Sequence, residues 1–191
     1  MTDTRTGRFT HTYSGRRFFA TQARPEDIFI EDTAHALSLT NRFNGHTPLG
    51  PYSVALHSIY VSLSCKPEDA LWGVLHDASE AYMADLVSPV KAQIPQYRAI
   101  EKNLMDVICD RFDLPHEMPE SVKLADSMVL AAEVRDLFTL PATAWNLPHR
   151  PIHRRIRHQL HWRTVEKLFL RRFQELTQPT KWYHIPTDWL L

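Results

Sequence analysis

Glycine is scarce, with five in 191 residues, and none falls in a GxGxxG or GxxxxGK[ST] arrangement. Backbone that cradles a nucleotide's phosphates needs such loops, so dinucleotide-binding and P-loop readings lose their main support. Cysteine is scarcer still. Cys65 and Cys109 sit in apolar helical patterns with no Cys or His at metal-finger spacing, so both read as core fillers in a reducing compartment. Net charge is absent as well: Lys plus Arg and Asp plus Glu are 22 each, which supplies no global field toward nucleic acid or anionic membrane. No apolar run is long enough to span a bilayer and the start is not signal-like, so the expectation is a soluble, cytoplasmic protein with no membrane partner. Internal repeats and low-complexity tracts are also missing.

What is present is mostly helical pattern. The stretch from 8 to 27 alternates aromatic and polar residues around Ser14-Gly15 and predicts a short hairpin with a glycine turn. Beyond Glu26, apolar residues recur at helical spacing over 31–43, 53–64, 67–82, 97–112, 119–138 and 163–177, while prolines such as Pro89, Pro95, Pro115, Pro141 and Pro148 fall in the connections. This predicts one all-α domain, a compact bundle of about six helices with a small N-terminal β-hairpin. Its parts are the hairpin over 1–25, a helical core over 26–140 and a basic, aromatic C-terminal part over 141–191.

Within "HRPIHRRIRHQLHWR" (149 to 163) stand five Arg and four His. Such a run can meet polyphosphate or nucleic acid, but a solvated loop and helix start, or a subunit contact, is its more usual cause. With Trp162, Trp182, Tyr183 and Trp189 it makes a docked C-terminal segment or a dimer patch an expectation.

Ionisable groups interrupt three of the apolar patterns. His57 lies on a helix face shared with Ser53, Tyr60 and Val61. His76 and Asp77 follow the apolar run Leu71, Trp72, Val74 and Leu75, and Asp126 sits beside Ala125, Val129 and Leu130. Taken singly, an inward His is more often a satisfied core histidine, and a helical Asp is usually solvated or paired with a base. Together, two imidazoles and two carboxylates on core-facing helices suit a divalent cation with open positions for water and substrate. Neighbours on a helix point about 100° apart, so His76 and Asp77 reach one ion only at a helix end, which the pattern break after Tyr82 offers.

The order His57, His76-Asp77, Asp126 resembles the H…HD…D signature of the HD-domain metal-dependent phosphohydrolases, an all-α superfamily. More specific is "LHDASEAYMADLVSPVK" (75 to 91), which is similar to the HDxSE(x)4DxxxPVK segment of the bacterial 5'-deoxynucleotidases and the related phage deoxynucleoside triphosphohydrolases. Arg42-Phe43, fifteen residues before His57, matches the Arg-aromatic pair of that branch, with Phe where Trp is common. The likeness covers roughly 26 to 140.

The resemblance implies that His57, His76, Asp77 and Asp126 bind one divalent metal ion (Mn²⁺, Co²⁺, Mg²⁺ or Zn²⁺). It also implies that Glu80 orients or deprotonates the attacking water, that Asp85 fixes the sugar or the water network, and that Arg42 holds phosphate with Phe43 on the base or sugar. Pro89 belongs to the substrate loop, and Lys91 faces phosphate or neutralises the acidic cluster. Ser79 reads as a local cap. Glu133, at i+7 from Asp126, reads as a partner behind the ligands or an ion pair with an Arg, ahead of a ligand role.

The implied function is metal-dependent hydrolysis of phosphate from 2'-deoxynucleotides, as a 5'-monophosphatase or a triphosphohydrolase, by an enzyme expected to be a homo-oligomer. Alternatives are an alarmone or cyclic-nucleotide phosphohydrolase, or a non-catalytic nucleotide or nucleic-acid-binding module. Nucleic acid is not an expected partner on the leading reading.

Overall fold

A computed structural model describes residues 4–139 and 145–178. Trp182, Tyr183 and Trp189, named above as a docking or dimer patch, lie outside the described residues, as does Pro141.

The hairpin is present and small. Strand β1 (Thr10–His11) pairs antiparallel with β2 (Arg17–Phe18), with Thr10 opposite Phe18 and His11 opposite Arg17. Gly15 closes the turn at φ 79°, a left-handed value that its missing Cβ makes inexpensive. Ser14 ties the turn to the bundle by donating its N–H and hydroxyl to the buried Asp32 carboxylate at 2.6 and 2.8 Å. Phe18, which is buried, stacks on Tyr82 with ring centroids 4.3 Å apart.

The other main elements among the described residues are helices: α1 (Ile30–Leu39), α2 (Val54–Ser64), α3 (Ala70–Leu75), α4 (Glu80–Met83), α5 (Ser88–Lys91), α6 (Pro95–Phe112), α7 (Glu120–Leu137) and α8 (Trp162–Thr177). The all-α reading with an N-terminal hairpin therefore holds. Helix α2 is the central rod, buried from Val54 to Ser62 and packed against α1, α3, α7 and α8. Ser53 caps it by accepting the Leu56 N–H at 3.3 Å. Around it, α7 turns Val122, Ala125, Val129 and Ala132 inward at 3–4-residue spacing, and α8 turns in Val165 and Phe169. Gly73 lets α3 approach α2 closely, because a Cβ there would stand 2.9 Å from the Ser62 Cα.

One expected helix ends early and another is interrupted. The pattern over 31–43 stops as helix at Leu39, after which Asn41 bridges Ser53 and the Arg42 N–H donates to the Tyr52 carbonyl at 2.9 Å. The pattern over 67–82 is not continuous: α3 stops at Leu75, and residues 76–79 form tight turns in which Ala78 N–H bonds Leu75 O (2.9 Å) and Glu80 N–H bonds Asp77 O (3.0 Å). The break anticipated after Tyr82 is there, since α4 ends at Met83, and a further one falls at His76 and Asp77 themselves. Ser79 precedes α4 but makes no side-chain cap bond.

The basic run is a strap, with Ile152 and Ile156 buried. Arg135 donates to the carbonyls of Ile152 (2.8 Å) and Arg154 (2.9 Å), Asp136 accepts the Ile156 N–H at 2.9 Å, and Tyr60 OH accepts the Arg157 N–H at 2.9 Å. Among the described residues, no helix is long and apolar enough to cross a membrane.

Candidate metal centre and active site

The buried centre forms where α2, the end of α3 and the middle of α7 meet. His57, midway along α2, is fully buried, and His76 closes α3. Their Nε2 atoms stand 3.2 Å apart. Asp126 of α7 brings a carboxylate oxygen to 3.1 Å from His57 Nε2 and 4.0 Å from His76 Nε2, so that ligand atoms of these three residues all lie within 4.8 Å of one another. Asp77 joins from the side, with Oδ2 at 3.2 Å from His76 Nε2 and 3.7 Å from His57 Nε2.

The outer edges of both rings are committed. His76 Nδ1 lies 2.9 Å from the Gly73 carbonyl, which can only accept, so Nδ1 carries the hydrogen. His57 Nδ1 lies 2.6 Å from an oxygen of Glu133, a fully buried carboxylate on α7. Both imidazoles therefore turn Nε2 toward each other and toward two carboxylates. Two imidazole nitrogens and two acidic oxygens, closely spaced and held from behind, match what a borderline divalent cation takes. Among the described residues, His57, His76 and Asp126 form the group that could hold a metal, and Asp77 stands next to it.

Electrostatics follow from this crowding. Burial and the Arg42 charge oppose protonation of His57, but Glu133 and Asp126 outweigh them and its pKa is raised to about 9. Burial would raise Asp77, yet His76, His57 and Arg42 hold its carboxyl far below the usual range. Asp126 is lowered by its hydrogen bond to His57 and the charges of both histidines, against its own desolvation. Glu80 goes the other way: burial, then Asp77 and Asp85, push it up to about 9. Its Oε2 is buried and makes no hydrogen bond among the described residues.

Arg42 arrives from the turn before α2. Phe43 (φ 55°) and Asn44 (φ 49°) are both left-handed there, and the Asn41–Ser53 bridge pins the turn to the start of α2. Arg42 Nε and Nη2 each reach Glu133 Oε2 at 3.2 Å, and Nη1 is 3.6 Å from Asp77 Oδ2. Glu133 thus pairs with an Arg and backs a histidine at once.

A cavity of about 690 Å³ opens beside the centre. Arg42, Asp77, Glu80, Asp85, Lys91 and Asp126 give its polar wall, and Phe43, Phe138 and Trp145 its aromatic one. Leu86, Val87, Ser88 and Pro89 make the rim after α4. Lys91 donates to Glu101 at 2.7 Å and stands 3.8 Å from Glu80, so it neutralises acids as well as lining the cavity. Every residue expected at the site from sequence lies in the centre or on this cavity. The strap over 149–163 supplies none of the lining.

Sequence reasoning missed the aromatic partners. Phe43 meets Phe138 edge-on at 5.0 Å and Trp145 at 6.1 Å between ring centroids. Phe138 ends the pattern of α7 and Trp145 stands in a proline-flanked connection, so neither carries a periodic signal that points to Phe43.

No family model matches the chain. It is 38% identical over 137 residues to the uncharacterized protein YfdR of Escherichia coli (strain K12), covering 72% of this chain and 76% of that protein. Over 121 residues it is 38% identical to the uncharacterized protein RCAP_rcc00048 of Rhodobacter capsulatus, covering 59% of this chain and 62% of that one. At that identity and coverage, the chain belongs to the same family as YfdR.

Proposed function

We propose that the protein is an HD-domain phosphohydrolase that removes phosphate from nucleotides, 2'-deoxynucleoside 5'-monophosphates foremost, with a divalent cation as cofactor. The observation that carries this reading is the convergence of His57 Nε2, His76 Nε2 and an Asp126 oxygen beside a cavity lined by Arg42. These three residues with Asp77 would hold the cation. When bound, a divalent cation lowers the pKa of water, screens the anionic phosphate and draws the Glu80 carboxyl back toward ionisation.

The remaining work belongs to side chains. Arg42, anchored through Nε and Nη2, keeps a fixed positive charge on the cavity wall to meet non-bridging phosphate oxygens. Hydrolysis makes a bond from water oxygen to phosphorus and breaks the ester bond to the sugar oxygen. Glu80 is a side chain of this wall whose carboxyl can hold or pass on the proton concerned. Asp85 faces the same space and suits a sugar hydroxyl, and the flat faces of Phe43, Phe138 and Trp145 suit a base.

Charge on the lining favours a short phosphate. Arg42 and Lys91 stand against Asp77, Asp85 and Asp126, Lys91 is already tied to Glu101, and the basic strap lies elsewhere. Three phosphates would find little compensation. We take the enzyme to be cytoplasmic, in keeping with free Cys65 and Cys109, and homo-oligomeric.

The test is phosphate release from a panel of deoxy- and ribonucleoside mono- and triphosphates with Mn²⁺, Co²⁺ or Mg²⁺. Orthophosphate from monophosphates is the expected result. Tripolyphosphate from triphosphates would reverse the preference, and turnover of none, with tight nucleotide or nucleic-acid binding instead, would leave a non-catalytic module.

A further inference from the structure

A carboxylate shut away from water persists only if its charge is answered. Glu133, with 0% exposure, is answered twice, by different oxygens and by different parts of the site. Oε1 meets His57 Nδ1 at 2.6 Å, and Oε2 meets Arg42 Nε and Nη2 at 3.2 Å. Both partners are polar side chains that continue into the candidate site: His57 through Nε2 to Asp126 and His76, Arg42 through Nη1 toward Asp77 and the cavity. An apolar side chain would fill this point on α7 as well as its neighbours Ala132 and Val134 do, so packing does not account for the charge.

We propose that Glu133 is a positioning residue that couples the cation half of the site to its phosphate half. It fixes the His57 ring by one edge so that Nε2 is presented, and fixes the Arg42 guanidinium on the cavity wall with the same carboxylate. The inference rests on the metal-centre reading above. Two acceptor oxygens on one rigid group are what the arrangement needs. Glutamine offers one acceptor and one donor, so it can serve His57 or Arg42 but turns N–H against N–H at the other. Aspartate keeps the charge and is one methylene too short to span both.

The experiment compares the full chain with Glu133→Gln and Glu133→Asp. Mn²⁺ alone is titrated by calorimetry into protein stripped of metal. Ring ¹⁵N spectra of His57 are recorded without metal, at a pH where the ring is neutral, and with Zn²⁺. In the natural protein Nδ1 should keep its proton, and Zn²⁺ should shift Nε2. Glu133→Gln should exchange the proton between both nitrogens and weaken Mn²⁺ binding by roughly 10–100-fold, the usual cost of losing the group behind a metal-ligating histidine. It should also raise KM for a nucleoside monophosphate, and Arg42→Lys should reproduce that rise without the loss of Mn²⁺ affinity.

Unchanged Mn²⁺ affinity and an unchanged His57 spectrum in a folded Glu133→Gln protein would overturn the proposal and leave Glu133 a buried ion pair. If neither variant folds, the natural protein decides: a Zn²⁺ shift at Nδ1 in place of Nε2 overturns it. If the natural protein binds neither Mn²⁺ nor Zn²⁺, the metal-centre reading fails. The coupling then fails with it, whereas metal binding with an unchanged Glu133→Gln protein overturns the coupling alone.

Discussion

Glu80 and Asp77 are carboxylic acids three residues apart with opposite titration behaviour. Asp77 is surrounded by His76, His57 and Arg42 and stays ionised, whereas Glu80 is buried next to Asp77 and Asp85 and is pushed up to about 9. Environments that push two acids apart in this way separate a cation ligand from a proton carrier. On the proposed function, Glu80→Gln keeps the shape and removes the proton exchange, so hydrolysis should slow by roughly 10²–10⁴-fold while Mn²⁺ binding is retained. A rate near that of the natural protein, measured by phosphate release, removes Glu80 from the chemistry. Ala84, at the end of α4, adopts φ 72° and ψ 157°, a conformation that glycine alone enters at low cost. Strain there is worth about 1–3 kcal/mol, of which the extra freedom of an unfolded glycine returns about 0.5–1 kcal/mol. Ala84→Gly should therefore raise Tm by a few degrees in a thermal melt, and a lower Tm refutes the strain.

Elements explain why α3 can be short and still aim His76 accurately. Its Gly73 touches α2 through backbone, and the same residue's carbonyl holds His76 Nδ1 at 2.9 Å. In Gly73→Ala the new Cβ would meet Ser62 Cα at 2.9 Å and Ser62 N at 3.2 Å, neither of them the movable end of a side chain. Helix α3 must shift, with a loss of about 1–3 kcal/mol in urea unfolding and weaker Mn²⁺ binding as His76 moves with it. Full retention of both would show that the two helices separate freely.

The helices were legible because each must bury a stripe, and that demand is written locally, at 3–4-residue spacing. What was not legible depends on contacts between distant segments. Helix α1 stops early because Asn41 and Arg42 pair with residues just before α2, and the break at His76 shows in no periodicity. His57, His76, Asp77 and Asp126 could be read because acids and imidazoles are conspicuous on apolar faces. Phe138 and Trp145 could not, since an aromatic residue at a helix end or in a loop looks the same whether it lines a cavity or packs on a core.

At the scale of the whole molecule, the site stores protons, and this ties stability to pH and, on the metal-centre reading, to a divalent cation. Without metal, the folded chain keeps a proton on Glu80 between its ordinary value of 4.5 and about 9, and one on His57 between 6.5 and about 9. The unfolded chain has released both. Stability falls with rising pH wherever the folded state binds more protons, by about 1.4 kcal/mol per pH unit for each proton. From pH 6.5 to 9 both groups act in the same direction, so the melting temperature of chelator-treated protein should drop by several degrees per unit.

On the metal-centre reading, a divalent cation would bind the folded state and displace the His57 proton from Nε2, so its affinity should grow as pH rises over the same range. Saturating Mn²⁺ should then raise Tm more at pH 8.5 than at pH 6.5 and flatten the decline. Thermal melts across this range, with and without Mn²⁺, give the answer. A cation-free Tm that is level or rising from 6.5 to 9 would mean that His57 and Glu80 do not hold these protons.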